Sequence, residues 1–166
     1  MKIEEKFNQI KDELEDLKKR VSELENLTRT KEPEVLQKSD GDVQKLAKKI
    51  NLSEEKIREI FDFENDTLTL VKIIGGNIKE KIQNISLLVL FGYKYGFNKT
   101  DVLSQEIRRN VAENGIPLEN FATCLNELAP SLIRRKGEPK SPKTSYRLIP
   151  SGEFKAKELI KTLSTK

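Results

Sequence analysis

The stretch Ser131-Leu132-Ile133-Arg134-Arg135-Lys136-Gly137-Glu138-Pro139-Lys140-Ser141-Pro142-Lys143-Thr144-Ser145-Tyr146-Arg147-Leu148-Ile149 decides how the chain is read. Two short runs, Ser131 to Arg135 and Ser145 to Ile149, flank a loop containing one glycine and two prolines, a pattern that predicts strand, turn and strand. Arg134, Arg135, Lys136, Lys140, Lys143 and Arg147 face a single carboxylate, Glu138, within this window. Cations on such a hairpin can reach sugar-phosphate oxygens, a contribution that does not depend on sequence and falls with salt.

The segments on either side extend the pattern. Upstream, Asn77 to Phe97 predicts the longest helix of the main domain, with Ile78, Ile82, Ile85, Leu88, Val89 and Leu90 or Phe91 forming a broad apolar face and Gly96 closing it. A second helix is expected from about Ser104, its hydroxyl capping free amides, with Ile107 and Val111 inward and Gly115 at the end. A third, Leu118 to Leu128, places Leu118, Phe121, Leu125 and Leu128 on one face; Asn120, Thr123, Cys124, Asn126 and Glu127 fall on the other. Asn and Thr can read base edges, so Asn120, Thr123 and Asn126 are the expected base contacts. Cys124 has no basic neighbour in sequence and reads as a small helix-side residue.

Downstream comes Tyr146-Arg147-Leu148-Ile149-Pro150-Ser151-Gly152-Glu153-Phe154-Lys155-Ala156-Lys157-Glu158-Leu159-Ile160. This passage is similar to the strand, turn and closing helix that follow the wing in winged helix-turn-helix domains of prokaryotic regulators. The resemblance runs from Lys99 to Leu163, about 40% of the chain. It implies double-stranded DNA as partner and a role in transcription regulation. The chain departs from the pattern at Glu119 and Glu127, which make the third helix mildly acidic.

The N-terminus has a different period. Ile3, Phe7, Ile10, Leu14, Leu17, Val21 and Leu24 recur at alternating steps of four and three, the seam of a coiled coil over residues 1–27. With Phe7, Leu14 and Val21 at a positions, a parallel pair sets Glu13 against Lys18 and Arg20 against Glu25, opposed by Lys6 against Lys11. A parallel dimer is therefore expected. A tetramer stands second, since Leu14 at a with Ile10 at d leans toward more strands. The same stripe could instead pack on the core of its own chain.

Residues 28–41 mix charges, Pro33 and Gly41 and read as a linker with a reach of about 20 Å if flexible. Residues 42–76 read as a helical hairpin broken at Leu52-Ser53, with Ile57, Ile60 and Phe61 on its second helix, then a short strand within Thr67 to Ile74. Residues 77–166 form the winged helix-turn-helix domain. The fold class expected is mainly α with a small β-hairpin wing.

Composition narrows the chemistry. The 166 residues contain no histidine and one cysteine, which removes the commonest general base and the usual zinc ligand sets. Gly75-Gly76 lacks the further residues of a phosphate-binding loop. Neither an enzyme nor a cofactor is expected. The apolar run Ile85 to Phe91 is too short for a bilayer, and Lys2, Glu4, Glu5 and Lys6 do not suit a secretory leader, so a cytoplasmic location without a membrane partner is expected. The alternative function is an adaptor that binds partner proteins through the coiled coil and the winged helix.

Overall fold

The computed structural model describes residues 13–21, 38–138 and 141–165. The chain is mainly helical with two small antiparallel sheets, and residues 1–37 and 38–166 are separate units. In the first, residues 13–21 form helix α1. Leu14, Leu17 and Val21 are about half exposed on it. Ile3, Phe7, Ile10 and Leu24 lie outside the described residues.

The second unit begins with α2 (Lys38–Ile50), so Lys38-Ser39-Asp40-Gly41 is helix where a linker is expected. Val43, Leu46, Ala47 and Ile50 are its buried side. Asn51 turns the chain at positive φ, and the Ser53 hydroxyl accepts a hydrogen bond from the Lys56 backbone N–H, capping α3 (Glu54–Arg58).

Phe61 belongs to a strand and not to that helix. Phe61-Asp62-Phe63-Glu64 alternates buried and exposed residues as β1 (Phe61–Glu64), paired with β2 (Thr67–Leu70). The two residues between them, Asn65 and Asp66, both take positive φ, the geometry that tight hairpins need and that Asn and Asp tolerate.

Helix α4 (Ile78–Gly96) is the axis of the unit, and α2, β2, α5 (Ser104–Glu113), α6 (Phe121–Leu128), β5 (Ser145–Leu148) and α7 (Pro150–Ser164) all pack on it. From Ile85 to Tyr93 every residue is buried, the signature of a core helix apolar on all sides. Asn77 caps it by accepting from the Glu80 backbone N–H (2.9 Å). Ile78, expected on the apolar face, is half exposed in the first turn. Gly96 does not supply the turn, which falls on Asn98 at φ 54°. A Cβ at Gly96 would lie 2.8 Å from Phe63, and one at Gly92 would lie 2.2 Å from Leu68. The two glycines are the seat of the β1–β2 hairpin on α4.

After α4 come β3 (Val102–Leu103), α5 (Ser104–Glu113), α6 (Phe121–Leu128), β4 (Ile133–Lys136), β5 (Ser145–Leu148) and α7 (Pro150–Ser164). The second sheet has the order β3-β5-β4, all antiparallel. Ser104 is the first helical residue of α5 and makes no side-chain cap; its backbone N–H donates to the Thr144 carbonyl (2.9 Å) and ties the helix start to the strand hairpin. Pro150 opens α7, where its fixed φ suits the first turn. Ala156, Leu159, Ile160 and Leu163 bury the inner side of that helix.

Candidate nucleic-acid interface

Helix α6 buries Phe121, Cys124, Leu125 and Leu128, which recur at helical spacing on the side facing the core. Cys124 thus belongs to the core and not to the polar side where the sequence places it. Burial, and then the nearby Glu127 charge, push its thiol up, so the reactive thiolate is disfavoured. Asn120, Thr123 and Asn126, spaced by three, are exposed. Glu127 is held away from that row: its carboxylate accepts from Lys79 Nζ (2.9 Å) and Gln83 Nε2 (3.0 Å), both on α4. One of the two acidic groups of this helix region is therefore already paired.

The hairpin divides its cations between two faces. Register sets Ile133 opposite Leu148, Arg134 opposite Arg147, Arg135 opposite Tyr146 and Lys136 opposite Ser145. Because successive side chains alternate, Arg135 shares the face of Ile133 and Tyr146, whereas Arg134 and Arg147 share the other. Arg135 Nη1 donates to Asn126 Oδ1 (3.1 Å), which brings it to the exposed row of α6. Lys136 Nζ reaches Asp101 at 4.0 Å, on the β3 side. Lys143 is exposed in the turn before β5, its backbone N–H donating to Ser141 Oγ (3.3 Å). Lys140 lies outside the described residues. The five described cations of this group are thus distributed, with Arg135 and not Arg134 or Arg147 joined to α6.

Helix α5 adds residues that sequence reading passed over. Arg108 lies over the Phe121 ring (5.2 Å to the centroid), and with Gln105 it lines a concavity of about 360 Å³ closed by Ala122, Pro142 and Thr144. Three elements, α5, α6 and the loop of the hairpin, converge there. The sequence carries a signal for it, since Arg108 follows Ile107 and so flanks the inward face of that helix.

The rest of α5 is committed to the β1–β2 hairpin. Asn110 is fully buried; its Oδ1 accepts from Leu70 N (2.9 Å) and its Nδ2 donates to the Leu68 carbonyl (3.0 Å). Arg109 Nη2 donates to the same carbonyl (3.0 Å), and Asn114 Nδ2 to the Leu70 carbonyl (3.3 Å). These side chains satisfy the free edge of β2 as a third strand would.

Among the described residues, no group of three or more His, Cys, Asp or Glu stands close enough to hold a metal ion, and no helix is long and apolar enough to cross a membrane. Comparison with family models, with curated proteins and with solved structures finds no match to this chain.

Proposed function

We propose that this chain is an oligomeric winged-helix DNA-binding protein, a cytoplasmic transcriptional regulator that works without a cofactor. The observation that carries the reading is the order helix, strand, helix, helix, strand, strand, helix from α4 to α7, with the middle of the sheet formed by β5 and an exposed Asn/Thr row on α6 beside Arg135. In this geometry α6 enters the major groove, with Asn120, Thr123 and Asn126 toward base edges. Arg135, Lys143 and Arg108 then lie toward phosphates on either side, and Lys140 is given the same role from its place in the sequence of the loop. Residues 77–166 hold sixteen Lys and Arg against nine Asp and Glu, so the excess positive charge of the chain resides in this half. The seam from Ile3 to Leu24 joins protomers as a parallel dimer, or a tetramer, so that one bound domain raises the local concentration of the next.

The Arg135→Ala/Lys143→Ala variant tests the interface. Its affinity for random-sequence duplex is expected to fall, with the slope of log K against log salt shallower by about 2. Unchanged affinity and slope would remove these residues from the interface.

A second reading, an adaptor that binds proteins, draws support from Leu14, Leu17 and Val21, half exposed on α1. Under it, residues 1–37 carry the interaction and the 38–166 unit has no affinity for duplex. Titration of duplex with the full chain separates the two readings.

A further inference from the structure

Arg134 and Arg147 are directly opposed on β4 and β5, both exposed, on the sheet face turned away from Arg135 and Asn126. Like charges facing across a strand pair are mildly destabilising, and an anion lying between or beside them relieves the repulsion. They do not stand alone. With Thr100 and Pro150 they line a concavity that also takes in Lys94 of α4. Lys94 borders a second concavity as well, which continues past Tyr95 and Asn98 to Lys45, Lys48 and Lys49, three lysines within two turns of α2. The two depressions meet at Lys94, giving six cations on one continuous surface.

An anion beside this surface is Glu153 of α7. It accepts from Lys94 Nζ and from Tyr95 Oη (2.5 Å). Burial pushes its carboxyl up, but the hydrogen bonds from Lys94 and Tyr95 and the charges of Lys94 and Lys49 outweigh this and hold it below the ordinary carboxylate range. Lys49 also lies over the Tyr95 ring (4.8 Å to the centroid). Lys94 and Lys49 are thereby fixed in place.

From these placements we infer that the surface running from Lys45, Lys48 and Lys49 through Lys94 to Arg134 and Arg147 is a second track for a nucleic-acid sugar-phosphate backbone. It lies on the reverse side of the hairpin from α6. A spaced row of cations along two shallow depressions fits successive phosphates of a strand, and the α2 lysines enlarge the footprint beyond the α4–α7 region. This inference rests on the DNA-binding reading and extends it to Lys45, Lys48, Lys49 and Lys94, which that reading does not use.

The test is titration of a labelled random-sequence duplex with the full chain and two variants over a range of salt. Lys45→Ala/Lys48→Ala/Lys49→Ala removes exposed side chains of the track; Arg135→Ala/Lys143→Ala removes the α6 side. Unfolding curves matching the original chain confirm that each variant is folded. The track is supported if the triple variant binds roughly tenfold more weakly at low salt and its salt slope is shallower by about 2 to 3. It is overturned if the original chain binds, the α6-side variant weakens and the triple variant keeps both affinity and slope; the DNA-binding reading survives that outcome. If the original chain binds no duplex at low salt, both fall together.

Discussion

Asn110 is the residue on which the seating of α5 on the β1–β2 hairpin turns, because its amide pairs with the Leu70 N–H and the Leu68 carbonyl on the free edge of β2. Removing it leaves a buried N–H and weakens satisfaction of a buried carbonyl, so Asn110→Ala should cost about 2 to 3 kcal/mol in urea unfolding. The tyrosines offer a second test at this scale. Burial first, then hydrogen bonding to Glu106, raises Tyr93 to about 12; burial and the Glu153 contact raise Tyr95, and burial raises Tyr146. These are all three tyrosines of the chain. A folded-state pKa above the unfolded one gives stability that is present below the unfolded value, about 10, and lost as pH rises through the folded one. Ultraviolet titration should therefore show less tyrosinate at pH 10 in the folded protein than in urea, where about half is ionised. Cys124 and Ile78 mark where residue-level reading fails: spacing places both near the edge of an apolar stripe, and which side of that edge is covered depends on neighbours far away in sequence.

At the scale of elements, legibility follows length and period. Helices α4, α5 and α7 repeat their buried positions often enough for the sequence to display them, whereas β4, with one buried residue, and β5 are legible from the Gly and Pro loop between them. Strand β3 has two residues, too few for any period. Strand β1 was hidden because Ile57, Ile60 and Phe61 continue a helical spacing into Phe61-Asp62-Phe63-Glu64, whose alternation is the competing and winning signal. The Asn65-Asp66 turn was the local clue. Since Asp66 is at φ 61°, Asp66→Val should destabilise the hairpin by about 1 kcal/mol or more, whereas Asp66→Gly should be neutral or stabilising. In α7 the constraint is close approach: a Cβ at Gly152 would lie 2.0 Å from the Leu132 carbonyl oxygen. Gly152→Ala must shift that helix or the segment entering β4, and thermal unfolding should show a loss of about 3 kcal/mol. The division of Arg134 and Arg135 between two faces follows from strand alternation, but it emerges only once the register is fixed, because a shift by one residue exchanges the faces.

For the whole molecule, charge and oligomer state carry the account. The exposed Leu14 and Val21 on α1 sit at a positions of the expected seam, so Leu14→Lys/Val21→Lys should convert an oligomer to a monomer by sedimentation, with the unfolding of the 38–166 unit unchanged. A monomer for the original chain would remove self-association from the proposal. Under the proposed function the 38–166 unit presents its cations to the phosphates of duplex DNA. The most direct test of this is the affinity of the intact protein for a labelled random-sequence duplex at low and at near-physiological salt. Binding in roughly the micromolar range at low salt that collapses as salt rises is the expected result, and absence of binding at low salt would contradict it.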